Sequence, residues 1–316
     1  MKNEVYQICK RNNFLRNTYE RASYYKKLIN KSYRYYIRNR KKVITEDYIK
    51  RIGAIPDLSN PKTFNEKINW LKLNWHDTLA VDCADKFAVR QVVKERYGES
   101  ILNTLYGVYE NPNEIDFDKL PEQFILKVNN GCGNHIICKD KKLLDIKKVK
   151  SILINGIKDK YHIYNNEWCY EGIKPNINCE KLLDENGLSP NDYKFFCNYG
   201  EPKFLYVASE RQTGVKFDFF DMSFNHIPVK QHYDMSAFKI SKPFNFDEMV
   251  KVARKLSKGF PFVRVDLYNI NGKIIFGEYT FFHMSGGEKF EPEIYDEIFG
   301  NMIDISPLKT ISNLRK

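Results

Sequence analysis

Long hydrophobic runs are missing from this sequence. No stretch approaches the roughly 18–20 apolar residues that cross a bilayer, so no transmembrane helix is expected. The opening residues, MKNEVYQICKRNNF, carry charge and lack the apolar region of a secretory signal. The seven cysteines are odd in number and form no C-x-x-C pair, which favours reduced thiols in a cytoplasmic setting over a disulfide framework. No G-x-x-x-x-G-K-[ST] is present, which excludes a P-loop protein, and no G-x-G-x-x-G follows a strand. A G-x-S-x-G nucleophile elbow is absent as well. The six histidines show no H-x-x-x-H spacing, which argues against zinc. What is present is a 316-residue chain with 42% hydrophobic and 15% aromatic residues. That suffices for one large domain or two ordinary ones, and it excludes disorder.

The net charge of +11 is local. Residues 1–43 hold 13 Lys/Arg against 2 Asp/Glu, and the rest of the chain balances at 38 and 38. Within this leader, Tyr25, Leu28, Ile29, Tyr33, Tyr36 and Ile37 recur at helical spacing among the cations from Tyr24 to Lys42. Three readings stand: an amphipathic helix packed on the body, a segment lying on an anionic membrane surface or glycan, and, least favoured, a nucleic-acid contact.

Beyond the turn-rich Pro56–Pro61, Thr63 with Glu66 forms a capping box opening a helix to Trp75. Further helices are predicted over 85–97, 143–160 and 246–257. Strands are predicted over 124–128, 136–138, 177–183, 193–197, 203–207 and 216–220. A hairpin joins 262–267 to 274–279 across Asn271-Gly272. Strands and helices mix without regular alternation, so the fold class is α+β rather than a doubly wound parallel sheet.

Three segments can carry chemistry. In FILKVNNGCGNHIIC (124–138), Lys127 precedes a loop with Gly131 and Gly133. Glycines let backbone N–H groups approach phosphate oxygens, although a plain hairpin needs them too. In VRVDLYNINGKIIFGEY (263–279), alternation places Arg264 and Asp266 on one face, with Glu278 on the adjacent strand. Two opposed carboxylates repel unless a cation lies between them, and such oxygen ligands suit Mg²⁺; the bland alternative is a solvated face. In INCEKLL (177–183), Glu180 interrupts an apolar strand that could line an adenine pocket with backbone groups.

Taken in order, DKFAVR, FILKVNNGCG, EWCYEGIKPNINCEKLL, DYKFFCNYGEPKF, FPFVRVDLYNINGKIIFGEYTF and SGGEKFEP resemble the TupA-like ATP-grasp proteins of bacterial surface-polysaccharide clusters, over roughly residues 56–305. The resemblance implies an ATP-grasp fold, two α+β subdomains clasping ATP, behind a basic helical extension. The implied division is 1–55, 56–125 and a core over 126–316, the nucleotide-binding part at 126–195 and the metal-binding part at 196–316. It implies that Lys86 and Lys127 hold ATP phosphates under a loop of Gly131 and Gly133. Glu180, Lys181, Leu182 and Leu183 would form the adenine hinge, and Lys194 a further phosphate or substrate contact. Asp266 and Glu278 would hold Mg²⁺, and Arg264 would face an acyl phosphate. The metal strand reads Glu278-Tyr279-Thr280 where ATP-grasp enzymes commonly have E-x-N, so Thr280 would supply a neutral oxygen. The implied catalytic residues are Arg264, Lys127 and Glu278. The implied activity is ATP- and Mg²⁺-dependent ligation of a carboxylate to an amine. Its partners would be an anionic glycan or sugar precursor and an amino acid or amino sugar, at the inner face of the membrane if the leader docks there. A nucleotide-sugar glycosyltransferase and an inactive membrane-peripheral scaffold are the alternatives.

Overall fold

Side-chain caps set where three of the early helices begin, those starting at Arg40, Phe64 and Thr78. The computed structural model describes residues 13–133, 135–185 and 187–308, so residues 1–12 of the basic leader lie outside it. Helix α1 (Asn13–Tyr36) ends within the segment that sequence spacing reads as one helix. Asn39 accepts from the Lys42 N–H at 3.0 Å and starts α2 (Arg40–Ile52), which Gly53 closes at φ 86°. The capping box forms as expected at α3 (Phe64–Asn74): Thr63 accepts from the Glu66 N–H, and Glu66 from the Thr63 N–H. A short α4 (Thr78–Ala84) precedes α5 (Val89–Arg96). The helix predicted from residue 85 starts late because the Asp85 carboxylate takes the Phe87 and Ala88 N–H groups, holding a turn that competes with the helix. Phe87, read as apolar face, is therefore exposed.

The first sheet comprises β1 (Leu105–Tyr109), β2 (Phe124–Val128), β3 (His135–Cys138) and β4 (Ile177–Lys181), antiparallel in the order β1-β4-β2-β3. Between β3 and β4 run α6 (Ile146–Lys158) and α7 (His162–Asn165). Alternation along β2 buries Phe124, Leu126 and Val128 in a core with Val149 and Leu153 of α6, leaving Ile125 and Lys127 on the other face.

The second sheet holds β5 (Asp192–Asn198), β6 (Glu201–Ser209), β7 (Lys216–Asp221), β8 (His226–Ile227), β9 (Val263–Ile270) and β10 (Lys273–Thr280), in the order β10-β9-β5-β6-β7-β8. Helix α8 (Phe246–Ser257) buries Phe246, Met249, Val252 and Leu256 against it, and α9 (Ile294–Asn301) follows the last strand. The β9–β10 hairpin turns at Asn271 and Gly272, both at positive φ, as a two-residue Asn-Gly turn requires. Helices α3 to α5 share this larger core; the Phe64 ring meets those of Phe196, Phe204 and Phe262 edge-on. The mixture of helices and antiparallel sheets is α+β, as expected. No described helix is long and apolar enough to cross a membrane.

The leader divides its residues. Tyr35 is buried and donates to Glu171 at 2.7 Å, and the Tyr36 hydroxyl meets the His162 ring nitrogen at 2.9 Å. Tyr25, Ile29, Tyr33 and Ile37, four residues apart on α1 and its end, are all exposed.

Candidate functional site

A cleft of about 350 Å³ runs between the two sheets and is walled by residues from both. From the first sheet come Lys127 on β2 and Glu180 on β4, which form an ion pair at 2.7 Å. The glycine loop after β2 closes one side. Lys86, half-buried, donates to the Gly131 carbonyl, and desolvation lowers its pKa against the pull of Glu278. A Cβ at Gly131 would lie 2.8 Å from Tyr161, so only glycine lets the loop lie against that ring. Gly133, at φ 86°, supplies the left-handed turn.

The hinge residues Lys181, Leu182 and Leu183 line the same cleft. The Lys181 backbone is already engaged: its N–H donates to Thr104 at 2.9 Å, and its carbonyl accepts from Asn103 at 2.8 Å.

Strand register builds the opposite wall. Pairing sets Lys194 of β5 opposite Asp266 of β9, and Asp266 opposite Glu278 of β10, one row across three strands. A bulge at Gly277 interrupts the ladder next to Glu278, where a Cβ would press within 3.1 Å of the Asp266 carbonyl. Lys194 and Glu278 reach the cleft, whereas Arg264, Asp266 and Thr280 are not on its wall. The cation that separates the two carboxylates belongs to the chain. Arg264 donates to both Asp266 oxygens at 2.7 Å and to Glu278 at 3.2 Å. Lys194 binds Asp266 through Oδ2, which it shares with Arg264, and Asp192 at 2.6 Å. Burial opposes charge on Asp266, but Arg264 and Lys194 hold its carboxyl below the usual range. Burial likewise opposes the Lys194 ammonium, which Asp192 and Asp266 keep above its ordinary value. Thr280 reaches only Glu278, at 3.4 Å.

Sequence reasoning missed three contributors. Asp192 lies two residues before Lys194 on one strand face, a legible signal; Arg211, which binds it at 2.8 Å, sits on a distant loop and gave none. His283 accepts from Arg264 at Nδ1, 2.8 Å away. Because guanidinium only donates, the ring proton is on Nε2, facing Gln231 Oε1 at 2.8 Å. Burial and the neighbouring Arg264 drive the His283 pKa well down, so the ring is neutral.

The donor set fits a nucleotide. Two lysines flank a glycine loop, and the buried Asp192 Oδ1 lacks a hydrogen-bond partner on a cleft wall suited to a hydroxyl. Among the described residues, no cluster of three or more His, Cys, Asp or Glu could hold a metal by itself. Asp266 is committed to two cations, while Glu278 is 43% exposed at its side chain. Mg²⁺ needs few protein ligands when phosphate oxygens supply the rest, and Glu278 is the open carboxylate.

Two antiparallel sheets gripping a lysine- and glycine-lined cleft place the molecule in the ATP-grasp class. More narrowly, the chain belongs to the TupA-like ATP-grasp family, whose model matches residues 66–304. Solved structures with similar folds include D-alanine–D-alanine ligase from Bacillus anthracis complexed with ATP, at 15% identity and a TM-score of 0.37, covering 63% of this chain and 53% of that one. An L-amino acid ligase from Bacillus licheniformis is similar at 13% identity and a TM-score of 0.43, covering 78% and 55%. Phosphoribosylamine–glycine ligase from Thermotoga maritima is similar at 13% identity and a TM-score of 0.36, covering 64% and 48%. The chain spans about half the length of these proteins. No curated protein matches it in sequence.

Proposed function

We propose that this protein is an ATP- and Mg²⁺-dependent carboxylate–amine ligase acting on a bacterial surface glycan or its precursor. The observation that carries the reading is the cleft itself, with Lys86, Lys127 and the glycine loop on one wall and Lys194 and Glu278 on the other. When bound, Mg²⁺·ATP would supply the phosphoryl group that turns a carboxylate into an acyl phosphate. The chain's part is to position anions and neutralise them, which is most of what phosphoryl transfer asks of a protein. Lys127 would release Glu180 to meet phosphate, leaving Glu180 for a ribose hydroxyl. Lys86 would hold the loop carbonyl that fixes Gly131. Because the Lys181 backbone is occupied, adenine recognition would fall to Leu182 and Leu183. Glu278 would hold the metal, while the other two expected ligands, Asp266 and Thr280, lie off the cleft wall. Arg264 would steer charge from behind Glu278. The acid would be a uronic acid or an amino acid, and the amine an amino acid or amino sugar.

The exposed stripe of Tyr25, Ile29, Tyr33 and Ile37 among leader cations would rest on an anionic membrane surface at the inner face, where rings sit at headgroups.

The test is thermal stabilisation by a nucleotide panel with and without Mg²⁺. Ligand at 100-fold its Kd stabilises by about 2.7 kcal/mol. ATP or ADP should stabilise the protein and Lys127→Ala should lose the effect. Preference for UDP- or GDP-sugars would instead make it a glycosyltransferase, and silence to every nucleotide would leave a scaffold.

A further inference from the structure

A second hollow, of about 170 Å³, lies between the leader helices and the turn that follows β10. Four cations line it: Lys31 from α1, Lys50 and Arg51 from α2, and Lys72 from α3. The one carboxylate on its wall, Asp47, is already held by Arg34 at 2.6 Å. Lys72 is fully buried and donates to the Asn165 carbonyl (2.9 Å), the Ser285 carbonyl (2.7 Å) and the Ser285 hydroxyl (2.6 Å). Glu167, buried nearby, offsets Lys72. Lys31, half-buried, has only the neutral Tyr164 carbonyl at 3.1 Å. Like charges gathered in one hollow repel, and an anion among them relieves that repulsion.

Two further observations point to a ligand. Asn166 is buried on this wall, and its Oδ1 has no hydrogen-bond partner. An unsatisfied buried acceptor is costly, and the residue that carries it lines this hollow. The turn is also strained: Met284 and Ser285 stand at φ 45° and 57°, left-handed without being glycine. Lys72 grips Ser285, and Asn69 donates to the Gly286 carbonyl at 2.6 Å, so the fold holds a conformation the residues disfavour. Strain of this kind persists where the surroundings over-determine it, often at ligand clamps. The turn begins three residues after the strand carrying Glu278, and its His283 touches Arg264.

We propose that this hollow binds an oxyanion, a carboxylate or phosphate, carried on a hydroxylated substrate, with Arg51, Lys50 and Lys31 meeting the anion and Asn166 Oδ1 accepting from a neighbouring hydroxyl. The inference rests on the ligase reading only for calling the molecule that carries this group a substrate. Calorimetric titration of the full chain uses D-glucuronate, inorganic phosphate and D-glucose, with ADP·Mg²⁺ titrated separately. Glucuronate or phosphate should bind and glucose should not; which of the two binds tells a sugar acid from a phosphate group. The double variant Lys50→Gln/Arg51→Gln should weaken anion binding at least tenfold. Asn166→Asp, which keeps the left-handed backbone and adds a negative charge, should abolish it. Neither should alter ADP binding, and Lys72 stays intact to preserve the turn. Binding of neither anion, or binding that survives both variants, overturns the proposal. A wild-type chain that binds the anion but no ADP keeps the hollow and sinks the ligase.

Discussion

Replacing Asp266 by Asn removes one charge from the most densely paired point of the molecule. Asp266 is 1% exposed and binds Arg264 through both oxygens and Lys194 through one. In the wild type Arg264, Lys194 and Arg211 stand against Asp192, Asp266 and Glu278, three against three. The substitution keeps the shape but leaves three cations against two carboxylates, with Arg264 holding only Glu278 and Lys194 only Asp192. Removing one partner of a buried pair costs about 3–5 kcal/mol. At roughly 1.5 °C per kcal/mol for a chain of this size, the melting temperature should fall by about 5–8 °C. Urea unfolding and differential scanning calorimetry would measure both quantities. A second substitution, Lys194→Met, should restore part of the loss in the double variant, because the remaining charges balance again. The pH dependence has a definite sign. The folded carboxyl titrates below its unfolded value of about 3.9, so its stabilisation is present above that pH and lost as pH falls through the folded value. The gap between wild type and Asp266→Asn should therefore close only in strong acid. A loss under about 1 kcal/mol at pH 7, or strictly additive single costs, would refute the reasoning.

Glu278→Gln should lower ATP turnover by about a hundredfold or more, since a transition-state electrostatic contact is worth about 3–4 kcal/mol; normal turnover with ATP would remove Glu278 from the metal site. His283 is held neutral in the fold, so the unfolded chain takes up its proton first and stability falls as pH drops below about 6.5. His283→Gln should flatten that slope by up to about 1.4 kcal/mol per pH unit, and an unchanged slope in the variant would show that another group titrates there. Changing Tyr25, Ile29, Tyr33 and Ile37 together to Ser should abolish sedimentation with phosphatidylglycerol vesicles without shifting the melting curve, because these side chains are exposed; undiminished sedimentation would remove the stripe from the membrane.

Local chemistry was legible in the sequence, and long-range pairing was not. The Thr63/Glu66 box, the Asn271-Gly272 turn and the alternation of Val263 to Asp266 each specify their own geometry within a few residues. The late start of α5 was hidden because Asp85 reads equally well as a helix cap and as the anchor of a preceding turn. Lys86, Lys127, Glu180, Lys194 and Glu278 fall in one cleft; the segments carrying Lys127, Glu180 and Glu278 could be picked out one by one, whereas Lys86 and Lys194 came only with the family resemblance. What no window revealed is how they are neutralised. Arg264 serves both carboxylates because of the bulge at Gly277, Arg211 arrives from a loop, and His283 closes the network from beyond β10. The leader misled in a different way. Helical spacing marked one apolar face, but Asn39 breaks the helix, and the stripe from Tyr25 to Ile37 faces outward while Tyr35 turns in.

The leader and the glycine loop share a support. Residues 161–171 carry Tyr161, whose ring lies against Gly131, and also His162, Tyr164 and Glu171, which take contacts from Tyr36, Lys31 and Tyr35. Helix α1 is therefore coupled in series with the loop, through a lever eleven residues long. A lean of α1 turns the residue whose neighbour presses on Gly131, and a loop that cannot accommodate even a methyl group has little slack to absorb it.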